Sequence, residues 1–141
     1  MGQWLDVRLL VIAACGLSTG IHAALVHPHW EEDERTIAVL FVLASIALTV
    51  VAAALALRPT WILPVLAAAG LFAALIVAYI LLRDEPFDAI AGLSKADEAV
   101  GLLLSLLLLR ARPTYPGDLA IAYFGLTFVL GFSVAAGGHA H

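Results

Sequence analysis

The sequence predicts an all-α integral membrane protein, a single bundle of five transmembrane helices joined by short loops. Hydrophobic residues make up 63% of the 141 positions and charged residues only 13%. Soluble domains usually contain about 45–50% apolar and about 25% charged residues. The apolar residues also fall in blocks of spanning length, since roughly 20 helical residues cross about 30 Å of hydrocarbon. Five such blocks use most of the chain and leave little for a separate soluble domain.

The first three predicted spans cover residues 7–26, 37–57 and 61–82. The first block is longer than the about 7–15 residues of a signal-peptide core, so we expect it to be retained. Arg58-Pro59-Thr60 makes a tight connection between the second and third spans. The centres of the spans hold neither proline nor charge, as expected in lipid, where the backbone must satisfy its hydrogen bonds internally.

The fourth span is predicted at residues 94–110 and the fifth at 117–136. Ser94-Lys95-Ala96-Asp97 fits a capping box, which predicts that a helix begins there. Pro113 and Pro116 end that helix, because proline cannot continue it. The 94–110 block is about the shortest that can span. If it does not span, the bundle has four transmembrane helices.

The basic residues predict the orientation of the bundle. Side chains next to span ends matter most, and the more basic side faces the cytoplasm. The side that holds the N-terminus carries Arg8, Arg58, Arg110 and Arg112. The other side carries three bases, Arg35, Arg83 and Lys95, with nine of the eleven acidic residues. We therefore expect a multi-pass protein of a bacterial plasma (inner) membrane, with the N-terminus cytoplasmic and the C-terminus outside.

Small residues four positions apart form strips on three of the predicted helices. Such strips let two helix backbones approach closely in a membrane. The strips consist of Gly16, Gly20 and Ala24 in the first span, Gly70, Ala74 and Ala78 in the third, and Gly131 and Ala135 in the fifth. Contacts within one bundle are the favoured interpretation, and a seam between copies of the chain is the alternative.

All five histidines are predicted on the outer side, where they form a candidate metal site. Neutral imidazole suits Cu, Zn, Ni or Fe, and carboxylates add harder ligands. Proline favours an extended predecessor, and alternate residues of an extended segment point the same way. The pattern predicts a Cu or Zn site formed by His22, His27, His29, Glu31, His139 and His141. The alternatives are structural or interfacial histidines beside a solvated acidic loop.

The predicted spans offer little chemistry. His22 and the Cys15 thiol are the only ionisable side chains clearly within them. Few intramembrane charges and unbroken helices argue against a pump or a coupled transporter. Nucleophile elbows, phosphate-binding loops and metalloprotease or haem-attachment motifs are absent, so an enzyme is disfavoured and neither haem nor nucleotide is expected. A net charge of −4 without a basic run argues against nucleic-acid binding.

Three hypotheses of function follow from these patterns. The leading one is a non-catalytic membrane protein, surrounded by lipids, that acts by helix packing as a homo-oligomer or as a subunit or accessory of a larger membrane assembly. The alternative is transition-metal binding or handling at the histidine- and carboxylate-rich outer rim. A second alternative is a passive channel formed between protomers.

Overall fold

The computed structural model describes residues 6–58, 60–82, 88–109 and 117–138, with the backbone alone at 117–119. Five helices fill nearly all of this part of the chain, which confirms the all-α prediction. Their bounds are α1 (Val7–Glu31), α2 (Arg35–Leu57), α3 (Leu63–Leu82), α4 (Ala89–Leu108) and α5 (Gly117–Gly138).

Four of the helices, α1, α2, α3 and the 120–138 part of α5, are long and apolar enough to cross a membrane. Helix α4 has 20 residues, as many as α3, but it contains Lys95, Asp97 and Glu98. At about 1.5 Å per residue it is also about 30 Å long. Spanning by α4 and the orientation of the bundle stay predictions.

The end of α1 differs from the sequence prediction. The helix continues to Glu31, five residues beyond the predicted end, and Pro28 lies inside it. The prediction that His27 and His29 lie in an extended segment is therefore wrong. On a helix, neighbours two apart point in different directions, while residues seven apart share a face. Consequently His29 points the same way as His22, and His27 does not.

A tight turn closes α1 and starts α2. Asp33 adopts a left-handed conformation with φ 64°. The Glu34 N–H then donates to the His29 carbonyl at 2.9 Å, which satisfies a backbone acceptor at the helix end. This turn brings the first residues of α2 back against the last turn of α1.

The start of α4 also differs from the prediction. Asp88 is the N-cap, and its Oδ1 accepts a hydrogen bond from the Ala91 N–H at 2.7 Å. The predicted capping box at Ser94 is wrong, because Ser94 lies more than one turn inside the helix. Residues at spacings of three and four form its buried face: Ser94, Asp97, Glu98, Gly101, Ser105 and Leu108. Polar residues predicted at the surface thus lie within the bundle.

The helices form a four-membered ring with the fifth outside it. Helix α1 packs against α2, α4 and α5, and α3 packs against α2 and α4. Helices α1 to α4 therefore enclose a common interior, and α5 covers the outer face of α1. Apolar side chains from all four ring helices fill one end of this interior, namely Leu9, Ile12, Leu48, Leu55, Phe72 and Leu108.

The small residues of α1 and α5 form the seam between these two helices. A Cβ added at Gly16 or Gly20 would lie under 3.0 Å from the carbonyl oxygens of Phe124 and Phe128 respectively. A Cβ at Gly131 would overlap a carbonyl of α1 in the same way. Ala24 is also buried, in a small apolar cluster that includes a residue of α5. These residues therefore lie at contacts within one bundle.

The strip on α3 is placed differently. Gly70 and Ala74 are exposed, and no other described atom lies within 4 Å of a Cβ added at Gly70. The strip is not used by the part of the chain that the structure describes. A seam between copies at this face stays a prediction.

Candidate functional site

A cavity of about 220 Å³ lies inside the α1–α4 ring, at the end where α1 passes into α2. All four ring helices line it. Its walls are mainly apolar, with Leu25, Leu40 and Leu75 among the lining residues. Polar side chains also line this space, and they are His22, His29, Glu34, Tyr79, Asp88, Ser94 and Lys95.

An ion pair on α4 lies at the inner end of this cavity. The Lys95 ammonium donates to Glu98 Oε2 at 2.5 Å, and Glu98 has no exposed surface. The Ser94 hydroxyl donates to Glu98 Oε1 at 3.1 Å. Lys95 also reaches the Leu75 carbonyl at 3.5 Å and lies 4.8 Å from the centre of the Tyr79 ring. The lysine therefore ties α4 to α3 while it compensates the buried carboxylate.

His22 approaches the same carboxylate from α1. Its Nδ1 lies 2.7 Å from the Ser18 carbonyl oxygen. The Ser18 hydroxyl lies farther from the same nitrogen, at 3.3 Å. Because a carbonyl only accepts, the shorter contact assigns the hydrogen to Nδ1. The other ring nitrogen, Nε2, faces Glu98 Oε1 at 3.8 Å. The edge of the ring packs on Phe41 of α2, with centroids 5.3 Å apart.

Asp97 is a further buried acid on α4. It is 9% exposed, and among the described residues its Oδ2 has no hydrogen-bond partner. The carboxyl lies close enough to Cys15 of α1 to interact with it electrostatically. Buried polar atoms are nearly always hydrogen-bonded, and ionisable groups inside membranes usually have a function.

His29 and Glu34 stand at the mouth of the cavity. Their Nδ1 and Oε2 atoms are 2.6 Å apart. Glu32 completes a group whose ligand atoms all lie within 4.8 Å of one another, a spacing that could hold a metal ion. This group shares only His29 with the predicted metal site.

The other predicted metal ligands are dispersed or lie elsewhere. His27 and Glu31 pair with each other at 3.5 Å on the exposed side of α1. His22 is buried deeper, against Glu98. His139 and His141 lie outside the described residues. A metal site stays a prediction, and among the described residues only His29, Glu32 and Glu34 have the spacing for one, so His22 is not among its candidate ligands.

Sequence reasoning missed the buried residues of α4. The sequence predicts few ionisable side chains within the spans, yet Ser94, Asp97 and Glu98 are all buried in the bundle. The signal was available in their spacing, because positions 94, 97, 98, 101 and 105 share one helical face. A polar face on an otherwise apolar helix indicates an inward orientation in lipid. The predicted capping box places Ser94 at the start of the helix, so that its neighbours are not assigned to an inward face.

The structure is a helical bundle, four of whose helices are long and apolar enough to cross a membrane, with a cavity in its ring that has apolar walls and several polar side chains. No protein-family model, curated protein or solved structure matches the chain. The chemistry of the cavity is therefore the basis on which a function can be assigned.

Proposed function

We propose that this protein is a membrane-embedded binding protein that holds a small amphiphilic molecule in the cavity of the α1–α4 ring. The observation that carries the proposal is one cavity with apolar walls and a buried, charged inner end. Ligand sites are typically apolar pockets with a few convergent polar groups. Burying Lys95 and Glu98 in a membrane bundle is costly, which favours a functional reason for their presence.

The hydrogen bonds of Lys95 indicate the kind of ligand that fits. An ammonium has three donors. Two of them point to Glu98 and to the Leu75 carbonyl, and the third is on hand for the space that Lys95 lines together with Tyr79, whose ring lies 4.8 Å from the ammonium. Because Glu98 neutralises its charge, the inner end favours an uncharged acceptor, such as a hydroxyl or carbonyl oxygen. The rest of the ligand would lie along the leucines of the wall.

The position of two leucines suggests how such a ligand enters. Leu40 of α2 and Leu82 of α3 both line the cavity, and both are exposed, at 41% and 53%. Both leucines therefore have part of their surface toward the cavity and part on the outside of the ring. An opening at that place would connect the cavity with the lipid phase, where an amphiphile is concentrated.

The experiment compares two tryptophan substitutions one turn apart on α3. Ala78 lines the cavity, and Ala74 is exposed on the same helix. The full chain in lipid nanodiscs is examined by native mass spectrometry with 1-octanol and with octanoate. We expect the wild type and Ala74→Trp to bind 1-octanol more tightly than octanoate. We expect the affinity of Ala78→Trp for 1-octanol to be at least tenfold lower. Equal binding by folded Ala78→Trp and Ala74→Trp would contradict the proposal.

Assembly through helix packing is the second candidate function, as an oligomer or as a subunit of a larger complex. The exposed strip of Gly70 and Ala74 on α3 favours it, because small residues facing outward allow close approach of another helix. Gly70→Ile should lower the self-association of the purified chain in mild detergent. A wild type that is a stable monomer without a co-purifying partner would speak against this candidate.

A further inference from the structure

We infer that His22 and Glu98 bind one exchangeable proton between them, so that the pair forms a proton-binding site at the inner end of the cavity. This inference does not depend on the proposed amphiphile. It rests on the arrangement of hydrogen-bond donors and acceptors around two buried side chains, 4% and 0% exposed.

The first step is the tautomer of His22. Its Nδ1 hydrogen is committed to the Ser18 carbonyl at 2.7 Å. In the neutral ring, Nε2 then carries only a lone pair. That lone pair faces Glu98 Oε1 at 3.8 Å, beyond the about 2.7–3.2 Å of a direct hydrogen bond. Two acceptors therefore face each other without a hydrogen between them.

The second step is the addition of a proton. A proton from water can bind to Nε2, which gives an imidazolium beside a carboxylate, or to Oε1, which gives a carboxyl group that donates to Nε2. Either state replaces two opposed acceptors with a donor and an acceptor. No other bond has to form or break. Nε2 of His22 and Oε1 of Glu98 would then approach to hydrogen-bond distance.

The groups around the pair come from four helices. Helix α4 supplies Lys95, which donates to Oε2 of Glu98, and Ser94, which donates to Oε1. Asp97 precedes Glu98 in the chain, and it interacts electrostatically with Cys15 of α1. Helix α3 contributes Tyr79, whose ring lies against Lys95. Helix α2 contributes the uncharged Phe41, and the described side chains of α5, at 120–138, are uncharged at neutral pH.

Access to the pair is one-sided. His22 lines the cavity, whose mouth holds His29 and Glu34. Beyond the pair, toward the other end of the ring, fully buried apolar side chains such as Leu48 and Phe72 fill the interior. This arrangement fits a binding site that fills and empties from the cavity.

Proton binding would change the charge at the inner end of the cavity. Without the proton, the positive charge of Lys95 and the negative charge of Glu98 cancel, and His22 is neutral. With it, the three side chains together carry one positive charge, whichever atom holds the proton. The cavity would then change its preference from an uncharged acceptor toward an anion as the pH falls.

The test uses the full chain in lipid nanodiscs, labelled with ¹⁵N-histidine. His22→Gln identifies the signal of His22 among the five histidines. We expect this signal to show a hydrogen on Nδ1, to titrate with pH, and to change in Glu98→Gln. The matched control is Asp97→Asn. It should leave the His22 signal unchanged, because Asp97 is the neighbouring acid but does not face the ring nitrogen.

Several outcomes would overturn the inference. A hydrogen on Nε2 and none on Nδ1 would remove the opposed acceptors. A His22 signal that does not respond to pH, or one that folded Glu98→Gln leaves unchanged, would show that no proton is shared. If Glu98→Gln does not fold, the tautomer and titration of His22 in the wild type still decide the question.

Discussion

Lys95 and Glu98 lie one turn apart on α4, and their charged atoms are 2.5 Å apart inside the bundle. The carboxylate has no exposed surface, and the lysine side chain is 19% exposed. The α4 backbone alone places these partners together, since residues at i and i+3 lie on the same face. The position of α4 between α1 and α3 then brings the pair to His22 and Tyr79.

Removing the lysine charge should destabilise the bundle strongly. Lys95→Met leaves Glu98 buried without its counter-charge, and breaking a buried pair typically costs about 3–5 kcal/mol. We expect a loss of that order in the free energy of unfolding, measured by denaturation in mixed micelles.

The control is the double variant Lys95→Met with Glu98→Gln. It removes both charges and keeps the size of the side chains, so most of the stability should return. A single variant as stable as the wild type would mean that water, not the bundle, solvates Glu98.

The seam between α1 and α5 gives the second prediction. Gly20→Leu places a side chain against the Phe128 carbonyl, where even a Cβ would lie under 3.0 Å away. Overpacking of this kind costs typically about 1–3 kcal/mol, and here α5 must move away from α1. We expect lower stability and separation of α5, measured by crosslinking between the two helices.

The matched control for the seam is Gly70→Leu on α3, where the described chain leaves open space. It should leave the stability of the monomer within about 0.5 kcal/mol of the wild type. Equal losses in the two variants would indicate that leucine perturbs any helix of this bundle, independent of the seam.

Hydropathy was sufficient for the helices but not for their ends. The apolar blocks predicted α2 to within two residues at its start and to the same residue at its end. The sequence does not predict the end of α1, because Pro28 favours an extended conformation in the residue before it. A proline near the end of a helix lacks one donor, and α1 continues past it to Glu31.

The site was missed for a related reason. Its side chains come from four helices, and composition does not reveal which helix neighbours which. The Ser18 carbonyl that fixes the tautomer of His22 is a backbone atom, so it carries no signature in the sequence. Only the spacing of Ser94, Asp97 and Glu98 on α4 could have indicated an inward polar face. The number of histidines indicates a site, and of the three described histidines His22 and His29 line the cavity.

The third prediction concerns metal binding. The geometry narrows the candidate ligands to His29, Glu32 and Glu34 at the cavity mouth. We expect Zn²⁺ titration of tag-free protein to give one site that His29→Ala removes. His27→Ala should leave that site intact, because His27 lies on the exposed side of α1 with Glu31. Sub-stoichiometric zinc in the wild type after supplementation would end the metal hypothesis.

The last prediction concerns the orientation in the membrane, and Cys15 makes it simple to test. Its thiol is fully buried, so single cysteines can be introduced without first replacing it. Glu31 is the last residue of α1, just before α2, and Thr60 follows the end of α2, so the two exposed residues lie at opposite ends of that helix. Leu109 follows the end of α4. We expect a membrane-impermeant maleimide to label Glu31→Cys in intact cells, and to label Thr60→Cys and Leu109→Cys only after permeabilisation. The reverse pattern would invert the orientation. Labelling of Leu109→Cys together with Glu31→Cys in intact cells would show that α4 does not span.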